Sequence, residues 1–333
     1  RILIALFVPV AVVAAGAQTS SAQAPSAQTP SAQTTPSMLG PKLQARASVV
    51  AAGIPGVIAA GEPVPLIHDG LPGADGIIGM PDGTAVFIEQ NSPRITRINA
   101  DDTLTTIAMA PGARALGVDS KGRLIGLVLS TPETQADHLR VLAGEGTGTV
   151  LATEVAGKRL FQGNDFVISR RDRVYMTDAG TLMKPLYEEP THVYMIPLRP
   201  GEPAGRKVAD KTARIAMPNG IALSPDDRVL YVNDSRGQYL LAFDVKPDGT
   251  LGGRREFAAY QLTDEIRAFP YQSDGLCVDR KGNVFVAMPL GVQVFSPKGR
   301  FLGTIPLSKK IQNLAFAGPE KKTLYICLLY TSP

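Results

Sequence analysis

The sequence predicts an all-β fold, a six-bladed β-propeller with a central metal site, and three observations lead there. A short phrase recurs six times: a turn followed by an apolar, β-rich run. The turns are Pro81-Asp82-Gly83, Ser120-Lys121-Gly122, Arg170-Arg171-Asp172, Pro225-Asp226-Asp227, Arg280-Lys281-Gly282 and Pro319-Glu320-Lys321, and the runs are AVFI, LIGL, VYMT, VLYV, VFVA and TLYI. Third turn positions are spaced by 39, 50, 55, 55 and 39 residues, a period typical of blades made from short strands. Eight residues ahead of each third turn position stand Asp75, Arg114, Asn164, Asn219, Asp274 and Asn313. Five of these six are Asp or Asn, types depleted in strands, and a fixed offset from a turn fixes the face on which a residue lies.

Each repeat therefore reads as a first strand beside the axis carrying the register residue, the turn, an apolar second strand, and two outer strands. In the fourth repeat the outer pair is 238–245 and 254–260, joined by the turn Lys246-Pro247-Asp248-Gly249. Loops such as 181–190 absorb the variable spacing. Small residues after the register position, as in Asp75-Gly76, Asn219-Gly220 and Asp274-Gly275, suit close backbone approach at a crowded axis. The last phrase ends at Ile326, so the last blade is expected to be truncated at the C-terminus. Residues 63–68 (PVPLIH) are the candidate for its outermost strand, with one strand still missing and an edge exposed.

Flanking segments read differently. Residues 1–17 match a signal peptide: Arg1, the apolar run 2–15 and the small-residue pattern Ala15-Gly16-Ala17. This places the protein in the periplasm or outside the cell, with no membrane span after cleavage. Residues 18–45 form a low-complexity Ser/Ala/Gln/Pro/Thr linker that cannot bury a core, and 46–326 form the propeller. Residues 327–333 (CLLYTSP) read as the translation of an adapter, so authentic protein is expected to end near Ile326. Of the two cysteines, Cys277 falls in an apolar strand and is expected to be an inert buried thiol. A net charge of +4 without a basic run argues against nucleic acid and leaves a small molecule as the partner of a monomer.

If the repeats surround an axis, the register residues converge into a nest of oxygen donors. None of the three histidines, His68, His138 and His192, falls in the register, and neither cysteine does. Carboxylate and amide oxygens suit a hard divalent cation. Ca²⁺ leads, with Mg²⁺, Mn²⁺ or Zn²⁺ as alternatives. Such an ion could acidify a bound water, with Asp274 or Asp75 as general base. Arg114 would hold substrate or neutralise Asp75 or Asp274. Asp165 would line the cavity or anchor its loop. Glu89, Asp178 and Asp234 end second strands, where bonding between blades is the expected role. No Gly-x-Ser-x-Gly elbow, P-loop or dinucleotide loop is present.

The phrases GNDFVISRRDRVYMTD, MPNGIALSPDDRVLYVND, SDGLCVDRKGNVFVA, GVQVFSPKGRFLGTI and NLAFAGPEKKTLYI resemble the senescence-marker-protein/gluconolactonase family, which includes luciferin-regenerating-type proteins. The resemblance runs from Leu71 to Ile326. It implies a six-bladed propeller with one divalent cation in the channel that hydrolyses sugar lactones. It makes Asn219 and Asp274 metal ligands, Asp274 also the general base, and Asn164 a further ligand. Asp75-Gly76 stands in the slot where the family carries Glu-Gly, making Asp75 the fourth ligand. Gln162 stands where some members carry a substrate-holding Arg, and joins Arg114, Asp165 and Asn313 as candidate substrate contacts. The alternatives are a non-catalytic propeller that binds metal or a sugar acid, and a metal-dependent esterase or organophosphate hydrolase on the same site.

Overall fold

The computed structural model describes residues 2–7, 53–130, 136–155, 157–179, 192–199, 206–209 and 215–329. The linker 18–45 and the loop 181–190 lie outside the described residues. The recurring turn keeps one hydrogen bond in all six copies, although in the sixth Glu320 also has positive φ, 58°. In every copy the N–H of the third turn position donates to the carbonyl three residues earlier, at 2.9–3.1 Å. That third residue has positive φ throughout: 87° at Gly83, 75° at Gly122, 57° at Asp172, 59° at Asp227, 82° at Gly282 and 51° at Lys321. Glycine enters this region without steric cost, which explains its use in three of the six. The two aspartates have a second task. The Asp172 carboxylate accepts from Ser120 N and Oγ at 2.8 and 2.7 Å, and Asp227 accepts from Arg170 N at 2.8 Å. Each thus clamps its turn to that of the preceding blade.

Five sheets are regular four-stranded antiparallel meanders. Their first strands are Ala74–Gly79, Ala113–Val118, Gly163–Ile168, Pro218–Leu223 and Leu276–Val278. In the fourth blade the outer pair is Tyr239–Val245 and Leu251–Ala259. A two-stranded ribbon, Glu154–Val155 with Lys158–Arg159, precedes the third blade. The first strands of successive sheets pack side by side, and Ile311–Ala317 of a sixth sheet packs between the fifth and the first, closing a ring.

That sixth sheet corrects the expectation of six equivalent blades with a truncated last one. Ile311–Ala317 pairs antiparallel with Thr323–Leu328, but Ile2–Phe7 then runs parallel to Thr323–Leu328, and Leu66–Leu71 runs parallel to Ile2–Phe7. The fold is five regular blades plus one composite sheet. The physical reason is the edge. Unpaired N–H and C=O groups along Thr323–Leu328 recruit whatever extended segment can reach them, here part of the N-terminal apolar run. The outermost strand starts three residues later than expected, and Cys327 and Leu328 are buried in the sheet.

The core consists of six apolar clusters, one between each neighbouring pair of sheets. Alternate residues of a second strand enter different clusters. In Val284–Met288, Val284 and Val286 face the fourth blade while Phe285 and Ala287 face the sixth sheet. Both faces are covered, so all five residues are buried and the strand reads as an unbroken apolar run. Between the first blade and the sixth sheet, Ala74, Ile77 and Phe87 meet Ala315, Ala317 and Tyr325.

Two glycine substitutions separate backbone freedom from packing. Gly122 has positive φ and open space where a Cβ would stand, so Gly122→Ala is expected to lose about 1–2 kcal/mol. A Cβ on Gly79 would stand 2.1 Å from the Phe316 carbonyl oxygen in the neighbouring sheet. Gly79→Ala is expected to lose about 3 kcal/mol or more. Urea unfolding of both variants measures the difference.

Candidate active site at one end of the channel

All six register residues sit at the same end of their inner strands, and backbone contacts link them around the ring. A Cβ on Gly76 would meet the Arg114 carbonyl at 3.4 Å, one on Gly220 the Asp274 carbonyl at 2.4 Å, and one on Gly275 Asn313 Oδ1 at 2.5 Å. Gly220 N donates to Asp274 O at 3.2 Å. Arg114 donates through Nη2 and Nε to Asn164 Oδ1 at 2.9 and 3.3 Å. Thr177 Oγ1 reaches Asn219 O at 2.7 Å and Asp165 O at 3.2 Å. Below this ring a channel cavity of about 430 Å³ is lined by inner-strand residues from all six sheets, among them Asp165, Phe166, Cys277 and Asn313.

The register residues stand at breaks in the ladder. Pairing shifts between Asp75 and Ile78, Ala113 and Ala115, Gly163 and Phe166, Pro218 and Ile221, and Ile311 and Asn313. In the fifth blade Asp274 and Gly275 precede the paired strand. A bulge re-aims a side chain that regular alternation would bury between sheets. Asp75, Asp165 and Asn313 then adopt one local arrangement, each side-chain oxygen accepting from the following backbone N–H at 2.8 Å. In the third blade it is Asp165 rather than Asn164 that takes this form. The freed backbone groups find buried partners: Asn233 Nδ2 donates to Asp274 O at 2.5 Å, and Tyr260 donates to Asn233 Oδ1 at 2.9 Å.

Charge in this pocket is crowded. Burial pushes the Asp165 carboxyl up to about 7; Asp75 and Asp274 add to the rise, and Arg114 opposes it. Burial likewise raises Asp274 to about 6, with Lys310 and Arg114 pulling it down, Asp75 pushing it up, and the Asn219 amide bonded to the carboxylate. The Lys310 ammonium lies 3.7 Å from Asp274 Oδ2. Asp75 Oδ2 accepts from Gln90 Nε2 at 2.6 Å, and Gln312 in turn donates to Gln90 at 3.3 Å. Each carboxylate oxygen has a second lone pair, so Asp75 keeps coordinating capacity. Asp75, Asn164, Asn219 and Asp274 are oxygen donors from four sheets, the ligand chemistry of a hard divalent cation, while among the described residues no three His, Cys, Asp or Glu side chains converge as a metal cluster.

A sequence model of the family described as SMP-30/Gluconolactonase/LRE-like region matches residues 74–329. The chain belongs to this family. A gluconolactonase of Zymomonas mobilis is 30% identical over 189 residues, 54% of this chain and 51% of the relative. A 6-deoxy-6-sulfogluconolactonase of Pseudomonas putida is 27% identical over 194 residues, 48% and 64% of the respective chains. The chain's match thus spans about half the length of the first of these relatives. Among solved structures, a gluconolactonase from Xanthomonas campestris aligns with a TM-score of 0.63 at 28% identity, covering 77% of this chain and 82% of the other.

Within the SMP-30/gluconolactonase family fold, the candidates divide clearly. Asp75, Arg114, Asn164, Asp165, Asn219 and Asp274 are linked around the ring by hydrogen bonds and charge interactions, Asn313 adjoins Gly275, and of these seven Asp165 and Asn313 line the channel cavity. Gln162 contributes a backbone carbonyl, which accepts from Ala179 N at 3.2 Å, and it has positive φ of 63°. Glu89 bonds within its own blade, to Thr96 Oγ1 at 2.6 Å and to Arg94, and Asp234 caps Ala216 and Met217 N of its own blade at 2.9 Å. Among the described residues neither makes the bond between blades expected of it. Sequence reasoning missed Lys310, Gln90, Thr177 and Asn233. The last two occupy equivalent places near the ends of second strands, a signal visible only once the strands are aligned.

The raised Asp165 carboxyl sets a pH dependence for the protein in chelator. Its folded pKa of about 7 lies above the ordinary 3.8. Below the lower value both states are protonated and nothing is lost. As pH rises through this window the unfolded chain ionises first, so stability falls until about pH 7. Asp165→Asn is expected to raise the Tm at pH 8 and leave it unchanged near pH 3.5, read by thermal unfolding at both values.

Proposed function

We propose that this chain is a hydrolase that opens a sugar lactone, with Asp274 as general base and a divalent cation held by Asp75, Asn164, Asn219 and Asp274. The observation that carries the reading is the half-buried Asp274 carboxylate, adjoining Asn219 and an ammonium group at the rim of a channel in a gluconolactonase-family propeller. Family membership supports lactone chemistry, and the oxygen-only donor set supports the cation, with Ca²⁺ first among the candidates. When bound, such a cation polarises the lactone carbonyl and acidifies water.

The protein's own groups account for the remaining needs. Asp274 takes the proton as water oxygen bonds to the carbonyl carbon; collapse of the tetrahedral adduct then breaks the ring C–O bond, and the departing alkoxide takes that proton back from Asp274. The Asn219 amide and the Gly220–Asp274 backbone bond keep that carboxylate oriented. Lys310 and Arg114 keep it ionised against burial, as a base must be before the proton arrives. Arg114 also fixes the Asn164 amide oxygen in place.

Export belongs to the same proposal and rests on the N-terminal pattern alone. It places the hydrolase in the periplasm or outside the cell; N-terminal sequencing of the protein from its native compartment is expected to begin at Gln18, and cleavage there removes Ile2–Phe7 from the sixth sheet and opens the edge of Thr323–Leu328. For the chemistry, Asp274→Ala is expected to lower kcat/KM on an aldonolactone by about 10²–10⁴-fold. Chelator is expected to abolish turnover, and added Ca²⁺, Mg²⁺ or Mn²⁺ to restore it, followed by proton release at constant pH. Turnover that survives chelation removes the cation from the mechanism. Binding without turnover across a lactone panel selects the non-catalytic propeller instead.

A further inference from the structure

Three loops at the site end of the channel converge beside Asp274. Lys310, just ahead of Ile311–Ala317, has a side chain only 15% exposed and an ammonium 3.7 Å from Asp274 Oδ2. The same ammonium lies 5.9 Å from the centre of the Tyr271 ring. On the hairpin after Val229–Asp234, the Arg236 guanidinium lies 5.5 Å from the centre of that ring. Hydrogen bonds tie the Arg236 hairpin to the segment carrying Tyr271 and Asp274: Gln272 N donates to Ser235 O at 2.9 Å, and Ser235 Oγ donates to Ser273 O. Two cations from the fourth and sixth sheets therefore flank one aromatic ring at the mouth, anchored to the backbone that carries the proposed base.

Neutralisation explains only one of them. Lys310 offsets the Asp274 charge, whereas Arg236 has no carboxylate partner among the described residues. An aldonolactone without other ionised groups has no charge for Arg236 to meet. A ring face and two cations together suit a sugar with an anionic arm: the ring packs the sugar's C–H face, while the guanidinium and ammonium donate to anionic oxygens. An ammonium has three donors, so Lys310 can serve that oxygen and Asp274 together.

Resting on the lactonase reading, we infer that the lactone taken by this site carries a second, anionic group remote from its ring carbonyl, held by Arg236 and Lys310 beside Tyr271. Carboxylate, sulfonate and phosphate present the same anionic oxygens, and their order of preference identifies which is native.

The test compares a neutral aldonolactone with the same ring bearing a terminal carboxylate, sulfonate or phosphate. The wild-type protein is expected to favour at least one anionic lactone by about ten- to hundred-fold in kcat/KM, through a lower KM, and to lose part of that preference in high salt. Arg236→Gln and Lys310→Gln are expected to collapse the anionic-to-neutral ratio, and Arg236→Lys to restore part of it. Arg236 is exposed, so its variants keep the fold, as circular dichroism checks. A ratio near one, or one unchanged by Arg236→Gln, overturns the inference while leaving the hydrolase intact. A separate arm measures calorimetric binding of open-chain aldonates, with and without the terminal anion, to Asp274→Asn. Should no lactone be turned over, Arg236-dependent preference for the doubly anionic ligand still supports the anion site, and its absence overturns it.

Discussion

Everything in this molecule depends on how closely six inner strands can approach around one axis. The residue after the register position decides it. Where a Cβ on Gly220 would stand 2.4 Å from the Asp274 carbonyl, and one on Gly275 2.5 Å from Asn313 Oδ1, no other side chain fits without moving a neighbouring sheet. Close approach places the polar residue just before each glycine against its counterpart in the next sheet. It also leaves ladder groups unpaired, and buried unpaired groups cost more than the bonds they would have made. Thr177 and Asn233 meet that cost from the second strands, so the polar ring and the apolar wedges between sheets are two sides of one packing problem.

Much of this was legible. A turn with its third residue in the left-handed region recurs six times, and its Gly and Asp residues mark it in the sequence as surely as the apolar run that follows. Counting eight residues back found the pocket residues because strand length is nearly constant from copy to copy. What the count could not show is that the ladder breaks at that place in most inner strands. Bulges depend on pairing across strands, which composition does not carry, and so Asp165 takes the local arrangement that Asp75 and Asn313 take, while Asn164 next to it holds Arg114. The sixth sheet was hidden for a related reason. Parallel pairing of Ile2–Phe7 between Thr323–Leu328 and Leu66–Leu71 joins segments far apart in the chain, and nothing in an apolar run states which edge it will meet.

Glu89 and Asp234 show the same limit from the other direction. Both end second strands at matching positions, and both were expected to bridge blades. Each instead bonds within its own blade, because the nearest unsatisfied donors are local: Arg94 and Thr96 for one, the N–H groups of Ala216 and Met217 for the other. Bridging falls to other groups: Asp172 and Asp227 at the turn end, and Arg114, Thr177 and Asn233 at the site end.

The two ends of the channel therefore do different work. At the turn end, short repeated bonds between neighbouring blades fix the ring. At the other, Asp75, Asp165 and Asp274 are held together against their mutual repulsion, and burial raises two of them well above the usual carboxylate range. Such a cluster is unfavourable for folding and useful for proton transfer, and bonds between neighbouring blades at both ends hold the ring around it. The cations that temper it come from two kinds of place. Arg114 lies on an inner strand, where its position is set by the scaffold. Lys310 lies on a connecting loop, free to change without disturbing a ladder or a wedge. On the reading proposed above, proton chemistry at Asp274 is tied to the geometry of the ring, while the choice of molecule presented to it rests with the connecting loops that carry Lys310 and Arg236.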